Sequence, residues 1–163
     1  MNENNVARIC KAYRIENWSI NTDGLVVIDG NVKLNFKGLT ELPLQFGRVT
    51  GDFFCHENDL TTLEGAPKEV GGGFYCYSNK LITLKWAPEY IDGKVEFLSN
   101  SDLPREFIIF LELNSNRIDL QTYIIKWQKD YAVWRRDGSF NQANFIQMMQ
   151  DAEDELENIK FPK

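Results

Sequence analysis

Apolar and polar positions recur along the middle of the chain at a spacing of 21 residues. Aligned on Ile28, Val49, Val70 and Ile91, four rows read IDGNVKLNFKGLTEL, VTGDFFCHENDLTTL, VGGGFYCYSNKLITL and IDGKVEFLSNSDLPR. Val32, Phe53, Phe74 and Val95 share one column, and Leu34, Cys55, Cys76 and Phe97 the next. Leu39, Leu60 and Leu81 form a third, and Leu42, Leu63 and Leu84 a fourth. Gly30, Gly51, Gly72 and Gly93 are identical in all four rows. A fixed period of this length predicts a solenoid, in which each unit buries its apolar side only by stacking on its neighbours.

Within a row, the apolar pair two residues apart predicts a short strand with both side chains inward. The glycine ahead of it predicts a positive φ or a close approach between coils. Ala66-Pro67 and Ala87-Pro88 predict an extended return on the convex side. The run Phe74-x-Cys76-x-x-Asn79-x-Leu81-x-x-Leu84 matches the leucine-rich-repeat consensus LxLxxNxLxxL, with Phe and Cys in place of two leucines. At Asn79 the chain leaves the strand, where a buried amide can bond the backbone of its own and adjacent coils. Asn58 and Asn100 repeat the feature, while Lys37 breaks it in the first row. The fourth row loses register after Asn100, as terminal coils that meet a cap do.

The flanks differ in texture. Residues 4–14 predict a short helix, and Trp18–Ile28 a hairpin turning at Asp23-Gly24. From Phe107 the pattern becomes helical. Tyr123, Ile124, Trp127, Tyr131 and Trp134 predict one amphipathic helix, broken at Asp137-Gly138. Phe145, Met148, Met149, Ala152, Leu156 and Ile159 predict a second, so the two form a helical hairpin. The reading is therefore an α/β solenoid: an N-terminal cap over 1–27, about four coils with a parallel sheet over 28–106, and a C-terminal α-helical cap over 107–163, all one structural unit.

Composition narrows the function classes. The 163 residues carry a formal charge of −6, which disfavours the phosphate neutralisation that drives nucleic-acid binding. An acidic surface suits a basic face on a protein partner. The cysteines, Cys10, Cys55 and Cys76, are odd in number and without CxxC spacing, so neither disulfides nor zinc are expected. The N-terminus lacks a signal-peptide layout, and no apolar run is long enough to span a bilayer, so the expected setting is the cytoplasm.

Catalytic residues, cofactor sites and metal sites are not expected. Cys55 and Cys76 read as small core hydrophobes. His56, the sole histidine, alternates to the opposite face from Cys55, which argues against a nucleophile pair. Gly71-Gly72-Gly73 lacks the Lys-Ser/Thr of a phosphate loop. The acidic run Asp151–Glu157 reads as a solvated helix face. What remains is the concave column pair: Lys33 and Asn35, Phe54 and His56, Tyr75 and Tyr77, Glu96 and Leu98. Stacked coils bring Phe54, His56, Tyr75, Tyr77, Glu96 and Leu98 together as a protein-binding surface, since clustered aromatics anchor interfaces. A second copy of the chain or its own caps are the alternative covers. Trp86 is a secondary candidate, as a convex contact or a wedge against the helices. Lys126, Lys129, Arg135 and Arg136 around Trp127 and Trp134 are a weaker nucleic-acid candidate, since the aromatics are spaced to face the helical core.

The stretch LTTLEGAPKEVGGGFYCYSNKLITL, with the lead-in WSINTDGLVVIDGNVKL and the tail KWQKDYAVWRRDGSFNQANFIQMMQDAEDEL, resembles the short leucine-rich-repeat proteins encoded by tailed bacteriophages. The resemblance spans nearly the whole chain. It implies a right-handed arc with a parallel sheet inside, present in the infected host's cytoplasm, and offers no catalytic residues. Bacterial effectors with similar repeats carry a ligase cysteine in an appended domain, and no cysteine follows Cys76 here. The expected function is a phage accessory protein that binds and modulates a host defence or metabolic protein, with inhibition one of the modes open to it. Self-association in a structural or assembly role is the alternative, and nucleic-acid binding through the tail comes last.

Overall fold

Two short strands per coil, rather than one, carry the 21-residue period of the chain, described over residues 2–162 in a computed structural model. The chain enters through α1 (Glu3–Tyr13), β1 (Trp18–Ile20) and β2 (Val26–Ile28). The coils follow as β3 (Val32–Lys33), β4 (Phe46–Val49), β5 (Phe53–Phe54), β6 (Glu69–Val70), β7 (Phe74–Tyr75), β8 (Tyr90–Ile91) and β9 (Val95–Glu96). Three helices close the chain, α2 (Arg105–Leu113), α3 (Ile118–Trp127) and α4 (Gln142–Asp151), with a 3₁₀ turn at Ala152–Asp154. The result is a parallel β-solenoid of about three turns between an N-terminal helix and C-terminal helices.

The strands form two sheets, ordered β1-β2-β4-β6-β8 and β3-β5-β7-β9. Between coils the pairing is parallel and follows the sequence columns: Ile28↔Val49↔Val70↔Ile91 in the first sheet, Val32↔Phe53↔Phe74↔Val95 in the second. A single sheet was the natural expectation from one apolar pair per row. The shared glycine instead sits at a corner between two strands. Gly30 has φ +130°, but in the later coils close approach explains the column: a Cβ on Gly93 would lie 2.6 Å from the Gly72 carbonyl carbon. Both readings of the glycine are therefore realised, at different coils.

The inward columns are buried except at the ends of the solenoid, where Leu39 and Ile91 are half-buried. Val32, Phe53, Phe74 and Val95 are sealed from solvent, as are Leu34, Cys55, Cys76 and Phe97. Leu60, Leu63, Leu81 and Leu84 close the opposite side. Phe53 and Phe74 stack at 5.8 Å, continuing the coil repeat inside the core. Burial holds the Cys55 and Cys76 thiols far above their ordinary pKa, so both stay protonated and inert.

The asparagine ladder is the polar half of this core. Asn79 donates to the carbonyls of Cys55 and Cys76 at 3.0 and 3.1 Å, and its Oδ1 accepts from the Leu60 amide at 3.0 Å. Asn58 and Asn100 bond in the same way one coil earlier and later. The residue before each column position, Phe36, Glu57, Ser78 or Ser99, has φ between 52° and 60°, so each coil leaves the second sheet through a left-handed step.

The N-terminal cap has the expected form. Asn2 caps α1, which buries Val6 and Cys10, and Arg14 ends it at φ 55°. β1 pairs antiparallel with β2, turning at Gly24 with φ +76° while Asn21 Oδ1 accepts from the Asp23 and Leu25 amides. The C-terminal cap differs in detail from a two-helix hairpin. The fourth row supplies β8 and β9 but no return, and α2 takes its place, with Phe107 stacked on Phe97 at 6.2 Å. The helix expected to reach Trp134 stops at Trp127. Ala132 turns left-handed at φ 49°, and the Val133 amide bonds back to the Gln128 carbonyl, a helix-ending arrangement. Asp137-Gly138 then turns a small hairpin in which Trp134 pairs with Phe140. Leu156 and Ile159 still pack on the core, but from irregular chain beyond α4, tied down where Asn114 bonds both backbone groups of Lys160. No helix among the described residues is long and apolar enough to cross a membrane.

Candidate functional site: stacked aromatic rows on the second sheet

In-register parallel strands about 4.8 Å apart place like positions directly over one another. On the outward face of the second sheet this builds two rows. Lys33, Phe54, Tyr75 and Glu96 form one; Asn35, His56, Tyr77 and Leu98 form the other. Phe54 and Tyr75 stack at 4.9 Å and 9°, and His56 and Tyr77 at 4.4 Å and 11°. The rows also touch each other, Phe54 meeting His56 edge-on at 6.1 Å. All six residues picked from the sequence thus lie on one face, and four are in ring-to-ring contact.

Their exposure is less uniform than alternation implies. Phe54, Tyr75, Tyr77, Glu96 and Leu98 are half-buried, while His56 is only 8% exposed. The cause is Phe36, whose ring meets His56 edge-on at 5.3 Å and is itself 67% exposed. Phe36 belongs to the site and was missed, because its column holds Glu57, Ser78 and Ser99 in the other rows. A bulky residue in the left-handed region is costly and rare. Its position in the turn column, not its strand alternation, was the available signal.

Gly73 serves the site directly. A Cβ there would lie 2.5 Å from the Tyr75 ring, so the missing side chain makes room for that ring. Its neighbours fill other gaps: Gly71 approaches the Thr50 carbonyl and Gly72 the backbone of Gly51. Glu96, at the end of its row, pairs with Lys94. Cys55 and His56 point to opposite faces, the first sealed in the core and the second in the stack.

His56 is titratable among aromatic rings, and desolvation lowers its pKa below 6.5, against the opposing pull of Glu57 and Glu96. Burial thus favours the neutral imidazole in the fold relative to the unfolded chain. Between the lowered folded value and 6.5 the unfolded chain binds the extra proton, so His56 contributes stability that is present above pH 6.5 and lost as pH falls through the folded pKa. His56→Phe keeps a ring in the stack and removes the titration. Urea denaturation at pH 7.5 and 5 is expected to show a smaller acid loss for the variant than for the wild type; equal losses would clear His56 of any part in it.

Trp86 lies half-buried in a groove of about 710 Å³ between the coil corners at Gly65 and Pro67 and the end of α3 near Ile125 and Lys129. Lys85 sits 4.7 Å over its ring and also reaches the Arg136 carbonyl, while Glu89 pairs with Lys129. Trp86 thus faces the groove that separates the solenoid corners from the helices. In the basic tail, Trp134 is buried with its indole N–H bonded to Gln128 Oε1 at 2.6 Å, and Trp127 is half-buried beneath Lys126. These rings belong to the cap's packing.

No protein-family model matches the chain, and searches against curated proteins and against solved structures give no match either.

Proposed function

We propose that the chain is a non-enzymatic protein-binding module whose contact surface is the pair of aromatic rows on the second sheet. The observation that carries the reading is Phe36, two-thirds exposed in a strained backbone conformation and packed onto His56 beside the Tyr75 and Tyr77 stacks. Pre-stacked rings lose little side-chain freedom on binding and offer large apolar area with a few hydroxyls, which is how interface anchors work. The net charge of −6 favours a partner with a basic rim around an apolar centre.

The likeness of the repeat rows to short leucine-rich-repeat proteins of tailed phages supports a host protein as the partner, in the cytoplasm of an infected cell, with binding that inhibits it. Self-association through the same rows is the competing reading. Affinity capture from bacterial lysate, followed by titration with the purified captured protein, tests both. Tyr75→Ala with Tyr77→Ala, and separately Phe36→Asn, are expected to weaken that titration by at least about tenfold while the circular dichroism stays unchanged. Equal affinity in all three proteins sinks the reading, and a concentration-dependent dimer lost in the double variant transfers the rows to self-association.

A further inference from the structure

We infer that the open edge of the second sheet, at β3, is a separate docking site for an extended acidic segment of another protein, which adds to the sheet as one more strand. The two sheets are closed differently at the N-terminal end. β1 covers the first sheet, while β3 has a neighbour only on the β5 side. At the far end of the second sheet, α3 packs on β9, and Gln121 Oε1 accepts from the Phe97 amide at 3.0 Å, as the next coil's carbonyl would. Among the described residues nothing comparable serves β3.

The backbone there is aimed outward. The amides of Val32, Leu34 and Phe36 donate to the carbonyls of Asp52, Phe54 and His56. In a parallel ladder alternate residues turn both backbone groups to opposite sides. Lys33 therefore presents its N–H and C=O groups to the open side, and Asn35, placed like His56 and Tyr77 whose carbonyls accept from the preceding coil, presents its C=O there. A groove of about 470 Å³ runs along it, lined among others by Tyr13, Arg14, Asn31, Lys33 and Lys37. The end of α1 bounds it at Tyr13 and Arg14.

Charge decides the occupant. Arg14, Lys33 and Lys37 line the groove, and none is in an ion pair among the described residues. Two acids, Glu16 and Asp29, line it as well, the second accepting from the Thr50 hydroxyl, so three cations stand against two carboxylates. This is a locally basic edge on a chain of net charge −6. A second copy pairing edge to edge would bring its lysines against these ones, the arrangement by which edge lysines discourage self-pairing. An acidic strand meets the opposite situation, with main-chain bonds to Lys33 and Asn35 giving affinity and the three cations giving selectivity.

The probe is a capped peptide of alternating glutamate and valine, with a lysine–valine peptide as control, added to the ¹⁵N-labelled full chain. The glutamate peptide is expected to shift the Lys33 and Asn35 amides and slow hydrogen exchange at Lys33, and the lysine peptide to do neither. Lys33→Pro removes an outward donor without touching the β3–β5 bonds, and Arg14→Glu with Lys37→Glu reverses the rim. Each is expected to weaken the glutamate peptide by at least about tenfold. Tyr75→Ala with Tyr77→Ala should leave its affinity unchanged, separating this site from the aromatic rows. Shifts confined to the rows, equal binding of both peptides, or unchanged affinity in the charge-reversed protein would overturn the inference. So would concentration-dependent protection of the Lys33 amide without peptide, which would assign the edge to a second copy.

Discussion

Asn79→Leu is expected to destabilise the chain by about 3 kcal/mol, a fall of roughly 10 °C in Tm, as read by thermal denaturation. The amide sits at 5% exposure in the middle of the solenoid and holds two coils at once. Its loss strands the Leu60 N–H and takes a donor from the Cys55 and Cys76 carbonyls, all inside the core. Leucine has the same number of side-chain heavy atoms and the same branching, so the loss is chiefly one of satisfaction, with some crowding from its bulkier methyls. Asn79→Asp is expected to do no better. It keeps the acceptor for Leu60, but sets a carboxylate against those carbonyl oxygens in a site with no cation to balance it.

Gly72→Ala is the second large effect, expected at about 3 kcal/mol and measured by urea midpoint. The added methyl would lie 2.5 Å from Asp52 Oδ1, 2.8 Å from the Gly51 carbonyl carbon and 2.9 Å from the Asp52 amide nitrogen. The side-chain contact can turn away; the backbone contacts cannot without parting the coils. The glycine column is also a hydrogen-bond ladder, Gly51 to Gly30, Gly72 to Gly51 and Gly93 to Gly72, at 2.9 to 3.0 Å. Spreading one step weakens the rest. Gly24→Ala supplies the contrast. Its Cβ would meet open space, so only the φ of +76° resists it, and about 1 kcal/mol is expected. A Gly72 effect no larger than that at Gly24 would mean that the coils separate easily, against the close packing described.

The two substitutions also mark what the sequence makes legible. In-register stacking gives each column one environment in every coil, so residue type repeats wherever environment does. Hence the buried Phe53–Phe74 and Cys55–Cys76 columns, the asparagine ladder and the face shared by Phe54, His56, Tyr75 and Tyr77 can all be read from spacing. Features without a column cannot. In β6 and β8 the column of Val70 and Ile91 stands without an apolar residue two positions away, so its spacing marks a repeat but not a second strand. Gln121 imitates a carbonyl from a helix, and nothing in its neighbours announces that. Tyr131 and Trp134 keep helical spacing past the end of α3, because both still face the same core after Ala132 breaks the helix. His56 is buried by Phe36, a ring from the preceding coil in a column otherwise polar.

The ring separations of 4.9 and 4.4 Å lie close to the distance between neighbouring strands, which makes the aromatic surface a ruler with a fixed graduation. Its length is quantised in whole coils. Duplicating or deleting one complete period would lengthen or shorten the surface by a single graduation while every inward column stayed in phase, whereas any other change of length would throw the glycines and asparagines out of step. The length of this aromatic surface is thus set by an integer, and one recombination event that adds or removes a whole period changes it without redesigning the core.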